Sequence, residues 1–153
     1  MQTPLSSLAA EFSLILPPPH TPLISHFPER EPPFTTIPIS VPKEHTIVTP
    51  NTPPVFFSGI PHAFGLNPYL VPILNAPSES FAAEADSDSS ADTVVDAAEK
   101  GGEGLWAGSQ LGVVSGFQTR NGARALWVGG IDMFSDEFAD KEVSKYVFYK
   151  FIS

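Results

Sequence analysis

Between Gly104 and Phe138 the chain runs Gly-Leu-Trp-Ala-Gly-Ser-Gln-Leu-Gly-Val-Val-Ser-Gly-Phe-Gln-Thr-Arg-Asn-Gly-Ala-Arg-Ala-Leu-Trp-Val-Gly-Gly-Ile-Asp-Met-Phe-Ser-Asp-Glu-Phe. Two apolar runs stand out, Leu111 to Phe117 and Ala123 to Val128. Each is rich in the β-branched or aromatic side chains that suit a pleated, half-buried surface. Thr119-Arg120-Asn121-Gly122 separates them. Asn-Gly tolerates positive φ at both central positions of a two-residue turn, so this spacing predicts a tight β-hairpin. The second run stops at Gly129-Gly130, and after a short polar turn Ser135 precedes Asp136 and Glu137. A serine oxygen caps the free N–H groups of a helix start, and acids there complement the positive end of the helix dipole. The predicted order is strand, hairpin turn, strand, glycine turn, helix.

Working outward, the 153 residues suffice for one domain with a core. An apolar content of 42%, with 12 Phe, argues against wholesale disorder. The net charge of −9 argues against a nucleic-acid partner, because phosphate binding needs a basic face. With no cysteine there is no disulfide framework, thiolate metal site or thiol nucleophile. No apolar run approaches the roughly 20 residues that span a bilayer. No basic segment precedes the first apolar residues, as a signal peptide requires.

Proline and acid divide the chain. All 17 prolines lie between Pro4 and Pro77, whereas nine of the 11 glycines lie from Gly101 onward. Four parts follow: a proline-rich α/β segment over 1–77, an acidic flexible insert over 78–104, the hairpin with a C-terminal helix of the same domain over 105–147, and a tail over 148–153. In the first part, residues 3–13 read as a helix. Thr3 caps, Pro4 suits the first helical position, and Leu5, Leu8, Ala9 and Phe12 form one apolar stripe. Pro17-Pro18-Pro19 ends any helix. Pro22 to Phe27, His45 to Thr49 and Val55 to Ile60 are strand candidates, and the five prolines of 28–44 predict extended loop or edge structure. Asn67-Pro68 reads as a cap and first helical residue, with Leu66 and Val71 spaced to staple a helix that Pro72 cuts short. The insert holds eight acids against Lys100, and Ala91 to Glu99 reads as a weak helix within it.

Few residues point to chemistry. His20, His26, His45 and His62 form no i, i+4 pair and match no ligand spacing, which predicts ordinary surface or half-buried imidazoles rather than a metal site. Asp132, Asp136 and Glu137 cluster where a strand ends. They could hold a metal or act as acid and base, or simply cap a helix. Arg120 and Arg124 flank the hairpin and could grip a phosphate or carboxylate bidentately, or pair structurally. Gly101-Gly102-Glu103-Gly104 lacks phosphate-loop spacing, and Ser115 sits inside a strand rather than at a nucleophile elbow.

Gln118, Arg120, Asn121, Ala123 and Arg124, then a strand, Gly129, and Phe134-Ser135-Asp136 carry a resemblance. In order and spacing they look like the non-catalytic 48 kDa subunit family of the eukaryotic oligosaccharyltransferase. Residues 55–76 resemble it too, through the glycine after the aromatic strand, Asn67-Pro68 and Pro72-Ile73-Leu74. The likeness covers most of Leu5 to Lys145, with the acidic insert poorly matched and the aromatic tail from Tyr146 unlike the family.

The resemblance implies a partial Rossmann-like, glutamine-amidotransferase-like sheet with flanking helices and no active site of its own. It implies a luminal, membrane-associated segment in the endoplasmic reticulum, with other oligosaccharyltransferase subunits as partners and no catalytic, cofactor or metal residues. Its work would be to support the complex that transfers dolichyl-diphosphate-linked glycan to asparagine. Family members carry a signal peptide and a transmembrane helix, so the expectation is a fragment or truncated product, with a soluble paralogue as the alternative. Two other functions fit the residues: a small-ligand α/β hydrolase or transferase using Asp132, Asp136 and Arg124, or an interaction module working through the acidic insert.

Overall fold

The computed structural model describes residues 4–27, 34–42, 54–83, 106–135 and 138. Helix α1 is Pro4–Glu11, followed by β1 (Leu14–Ile15), β2 (Leu23–Ile24), β3 (Ile37–Ile39), β4 (Val55–Phe57) and β5 (Ala63–Phe64). Then come β6 (Leu70–Asn75), β7 (Phe81–Ala82), β8 (Trp106–Ala107), β9 (Gly112–Gln118), β10 (Arg124–Val128) and a 3-10 turn at Asp132–Phe134. Among the described residues sheet outweighs helix, in a fold of α/β type.

The strands make four small sheets, ordered β10-β9-β6, β2-β7-β8, β1-β5 and β3-β4. Every ladder among the described residues is antiparallel. A Rossmann-like sheet is built of parallel strands joined by long crossovers, and the described residues show no such arrangement.

Strand β9 is the centre. It lies between β6 and β10, and Gly112, Val113, Val114 and Ser115 are buried on both faces. A strand covered on both sides reads as a continuous apolar run, which is why Leu111 to Phe117 was legible. Strands β3 and β4 show the other pattern. Ile37 pairs with Phe57 and Ile39 with Val55, all buried, while Pro38 and Phe56 pair on the half-buried face. Their inner face joins Leu23, Ile73, Leu74, Leu111, Val113, Val114 and Met133 in one core. Burying side chains of this size stabilises by about 1.5–3 kcal/mol each.

Two glycine segments close this core. Ile60 N–H donates to Gly129 O at 2.8 Å. A Cβ on Gly130 would fall 2.0 Å from Ser58 O, and one on Gly129 would fall 2.2 Å from Ile60 O. Gly129-Gly130 thus ends β10 by letting its backbone lie against the chain leaving β4.

Two expectations need correction. Asn67-Pro68 starts no helix. Tyr69 N–H donates to Asn67 Oδ1 at 3.0 Å and Leu70 N–H to Asn67 O at 3.2 Å, a turn that feeds β6 directly. β6 then pairs with β9 across Pro72, and the register breaks between Pro72 and Leu74, where a proline is tolerated. Leu66, the proposed staple, is fully exposed. Helix α1 ends at Glu11, inside the 3–13 span read from the sequence, and Ser13 at φ 61° turns the chain into β1. The apolar stripe of α1 is half covered: Ala9 is buried and Phe12 meets Phe117 edge-on at 5.1 Å, while Leu5 and Leu8 are 58% and 51% exposed.

The 28–44 stretch does provide edge structure, as β3. Residues 78–83 form a turn and β7. The strand at His45 to Thr49, the weak helix at Ala91 to Glu99 and the tail lie outside the described residues. No helix among the described residues is long and apolar enough to cross a membrane.

Candidate functional site

The β9–β10 hairpin presents the residues the sequence singled out. Gly122 N–H donates to Thr119 O at 3.1 Å and Thr119 N–H to Ala123 O at 2.9 Å. Gly122 alone takes the left-handed region, at φ 85°. This is a three-residue loop, a type I turn closed by a glycine, not the two-residue Asn-Gly turn that the sequence predicts. The asparagine side chain explains the difference. Asn121 Oδ1 accepts the Thr119 hydroxyl and the Ala123 N–H, holding the turn from within.

Arg120 on the loop and Arg124 at the start of β10 are both exposed. They are the two Lys or Arg residues among the described residues. Asp132 is exposed in the 3-10 turn beyond the far end of β10. The five residues of β10, at roughly 3.3 Å each, hold Arg124 away from Asp132, so the structure does not bring these two together. Ser135 is extended at the end of that turn, and Phe138 N–H donates to its carbonyl at 3.1 Å. Phe138 is helical, as predicted, while Asp136, Glu137 and the predicted helix beyond Phe138 lie outside the described residues.

The histidines separate. His20 and His26 are exposed, and His26 packs on Phe34 at 4.5 Å. His45 lies outside the described residues. His62 is a correction: it is fully buried, not surface or half-buried. A two-way backbone bridge to Gly112 holds it, His62 N–H to Gly112 O at 2.9 Å and Gly112 N–H to His62 O at 2.7 Å. Its Nε2 meets Ser115 Oγ at 2.5 Å. Its ring stands edge-on to Phe64 at 5.4 Å, and Nδ1, also buried, has no hydrogen-bond partner among the described residues. Burial lowers the imidazole pKa from 6.5 to about 4, because the charged form would lose its hydration.

A serine beside a histidine is the outline of an activated nucleophile. Here both are within 1% of complete burial, so no substrate reaches them, and among the described residues no third group orients Nδ1. The pair is a structural clasp between β9 and the chain entering β5. Sequence reasoning missed it because residues 62 and 115 lie 53 apart. The available signal was Gly112 in an apolar run: a Cβ there would lie 2.4 Å from the Phe64 ring and 2.6 Å from His62 Nε2.

Next to the clasp lies an open groove of about 670 Å³, lined by Ile15, Ala63, Phe64, Pro72, Asn75, Trp106, Gln110 and Leu111. Among the described residues no three His, Asp or Glu side chains are grouped to hold a metal ion. A family model described as OST48, N-terminal domain, matches residues 1–150. The chain belongs to the OST48 family. That match spans the hairpin, the glycine closure and the buried clasp together. OST48 is a subunit of oligosaccharyltransferase, the machinery of N-linked glycosylation in the endoplasmic reticulum. No curated protein matches the chain.

Proposed function

We propose that this OST48-family chain is a non-catalytic, luminal segment of an oligosaccharyltransferase subunit. Its role is to support assembly and stability of the complex, through contacts made by its exposed hairpin and apolar surface. The family match over residues 1–150 carries this reading. The hairpin's exposed Arg120, Arg124 and Leu126 are consistent with a contact surface. The proposal includes attachment to the membrane through regions other than these residues, and a larger Rossmann-like unit to which these sheets contribute.

The test is a pull-down of the tagged chain from solubilised microsomes. Recovery of other oligosaccharyltransferase subunits is expected, and their absence at normal expression overturns the reading. A second arm tests the non-catalytic role: Asp132→Ala in an assembled complex should leave glycosylation unchanged. Loss of transfer there would favour the small-ligand enzyme instead.

A further inference from the structure

The outer edge of β10 has backbone groups aimed away from the fold. Thr119 N–H to Ala123 O at one end and Gly129 N–H to Val113 O at the other, each 2.9 Å, mark bonded positions of the β9–β10 ladder. Bonded and non-bonded pairs alternate along an antiparallel ladder. Ala125 and Trp127 therefore bond to β9, while Arg124, Leu126 and Val128 turn their N–H and C=O groups outward. Among the described residues β10 pairs with β9 alone.

Side chains beside that edge are specific in kind. Val71, Gly116 and Leu126 lie in one row across β6, β9 and β10. Val71 is 40% and Leu126 45% exposed, and Gly116 between them has no side chain to raise the surface. Arg124 stands on the same face as Leu126, one row nearer the turn, and Arg120 is on the turn itself. In a chain of net charge −9, this hairpin holds both cations of the described residues. An exposed edge with apolar and cationic flanks selects an extended strand that is acidic at one end and apolar at alternate positions.

We propose that β10 accepts, as an added strand, an acidic-ended extended segment of about five residues from a partner protein. The carboxylates meet Arg120 and Arg124, and an apolar side chain packs beside Leu126, extending the Val71–Gly116–Leu126 row by one strand. This names the chemistry of the partner and rests on the subunit reading above.

The experiment titrates the purified full chain with a blocked heptapeptide of two glutamates followed by alternating valine and threonine. A control peptide has lysine in place of glutamate. The acidic peptide should bind about tenfold more tightly at low salt, with the gap closing as salt rises. Arg120→Glu with Arg124→Glu should reverse the preference. Leu126→Pro removes an outward N–H without touching the β9 ladder and should abolish binding. Hydrogen exchange on the unaltered chain reads the same edge should that variant not fold: the peptide should slow the Arg124, Leu126 and Val128 amides.

Equal binding of both peptides, no binding, or unchanged exchange at those three amides overturns the proposal. So does a concentration-dependent dimer that Leu126→Pro abolishes, since a second copy then occupies the edge. The pull-down separates the two readings. Subunits recovered equally by the unaltered chain and the double arginine variant sink the edge proposal alone. Peptide binding without any subunit recovery sinks the subunit reading alone.

Discussion

His62 is where chemistry and stability meet in one side chain. Its folded-state pKa is about 4 against 6.5, so the folded chain binds fewer protons than the unfolded chain between those values. Protonation therefore favours unfolding. The contribution of neutral His62 is fully present above about pH 6.5 and is lost as pH falls towards 4, at up to about 1.4 kcal/mol per pH unit. Denaturant titrations at pH 7 and pH 5 should show the chain weaker at pH 5, and His62→Gln should flatten that slope. An identical slope in the variant would mean another group sets the acid response. The short contact to Ser115 is no route to turnover, because neither partner meets solvent.

Strand pairing explains how an acidic run is carried on this fold. β7 and β8 pair antiparallel, Phe81 with Ala107 and Ala82 with Trp106, so residues 83 and 106 are held together whatever lies between them. Ala83 N–H donates to Pro22 O at 3.4 Å, tying the exit of β7 to the residue just before β2. We propose that the acidic run is a tolerated surface insertion. Replacing residues 84–105 by a short glycine–serine loop should leave stability within about 1–2 kcal/mol, with closure entropy favouring the shorter loop. A loss above about 3 kcal/mol in a denaturant titration would show that the run packs on the fold.

At the scale of the molecule, much apolar surface stays wet. Leu5, Leu8, Ile15, Val71 and Leu126 are each at least 40% exposed, and most strands are two or three residues long. Short ladders contribute few cross-strand pairs, so most of the stability must come from the one core around β9 and β4. The isolated chain is expected to unfold with less than about 5 kcal/mol, at the low end for domains. A cooperative transition well above that value, by urea titration, would contradict this. The same exposed side chains are what a subunit in a complex would cover, so stability should rise on assembly.

Local chemistry made part of this legible in advance. Leu111 to Val128 announced two strands and a turn because β-branched and aromatic runs interrupted by Asn-Gly have few other solutions. Pro4 with its apolar stripe announced α1, and the motif Gln118 to Asp136 announced the family. Long-range contact decided the rest. Asn67-Pro68 begins either a helix or a turn, and pairing of Leu70 to Asn75 with β9 selected the strand. The hairpin loop took three residues because Asn121 spent its side chain on its own turn. His62 became a core clasp because Gly112, 50 residues on, left room for its ring. Local propensity is read from neighbours in sequence, whereas register and burial are set by neighbours in space, and only folding brings the latter together.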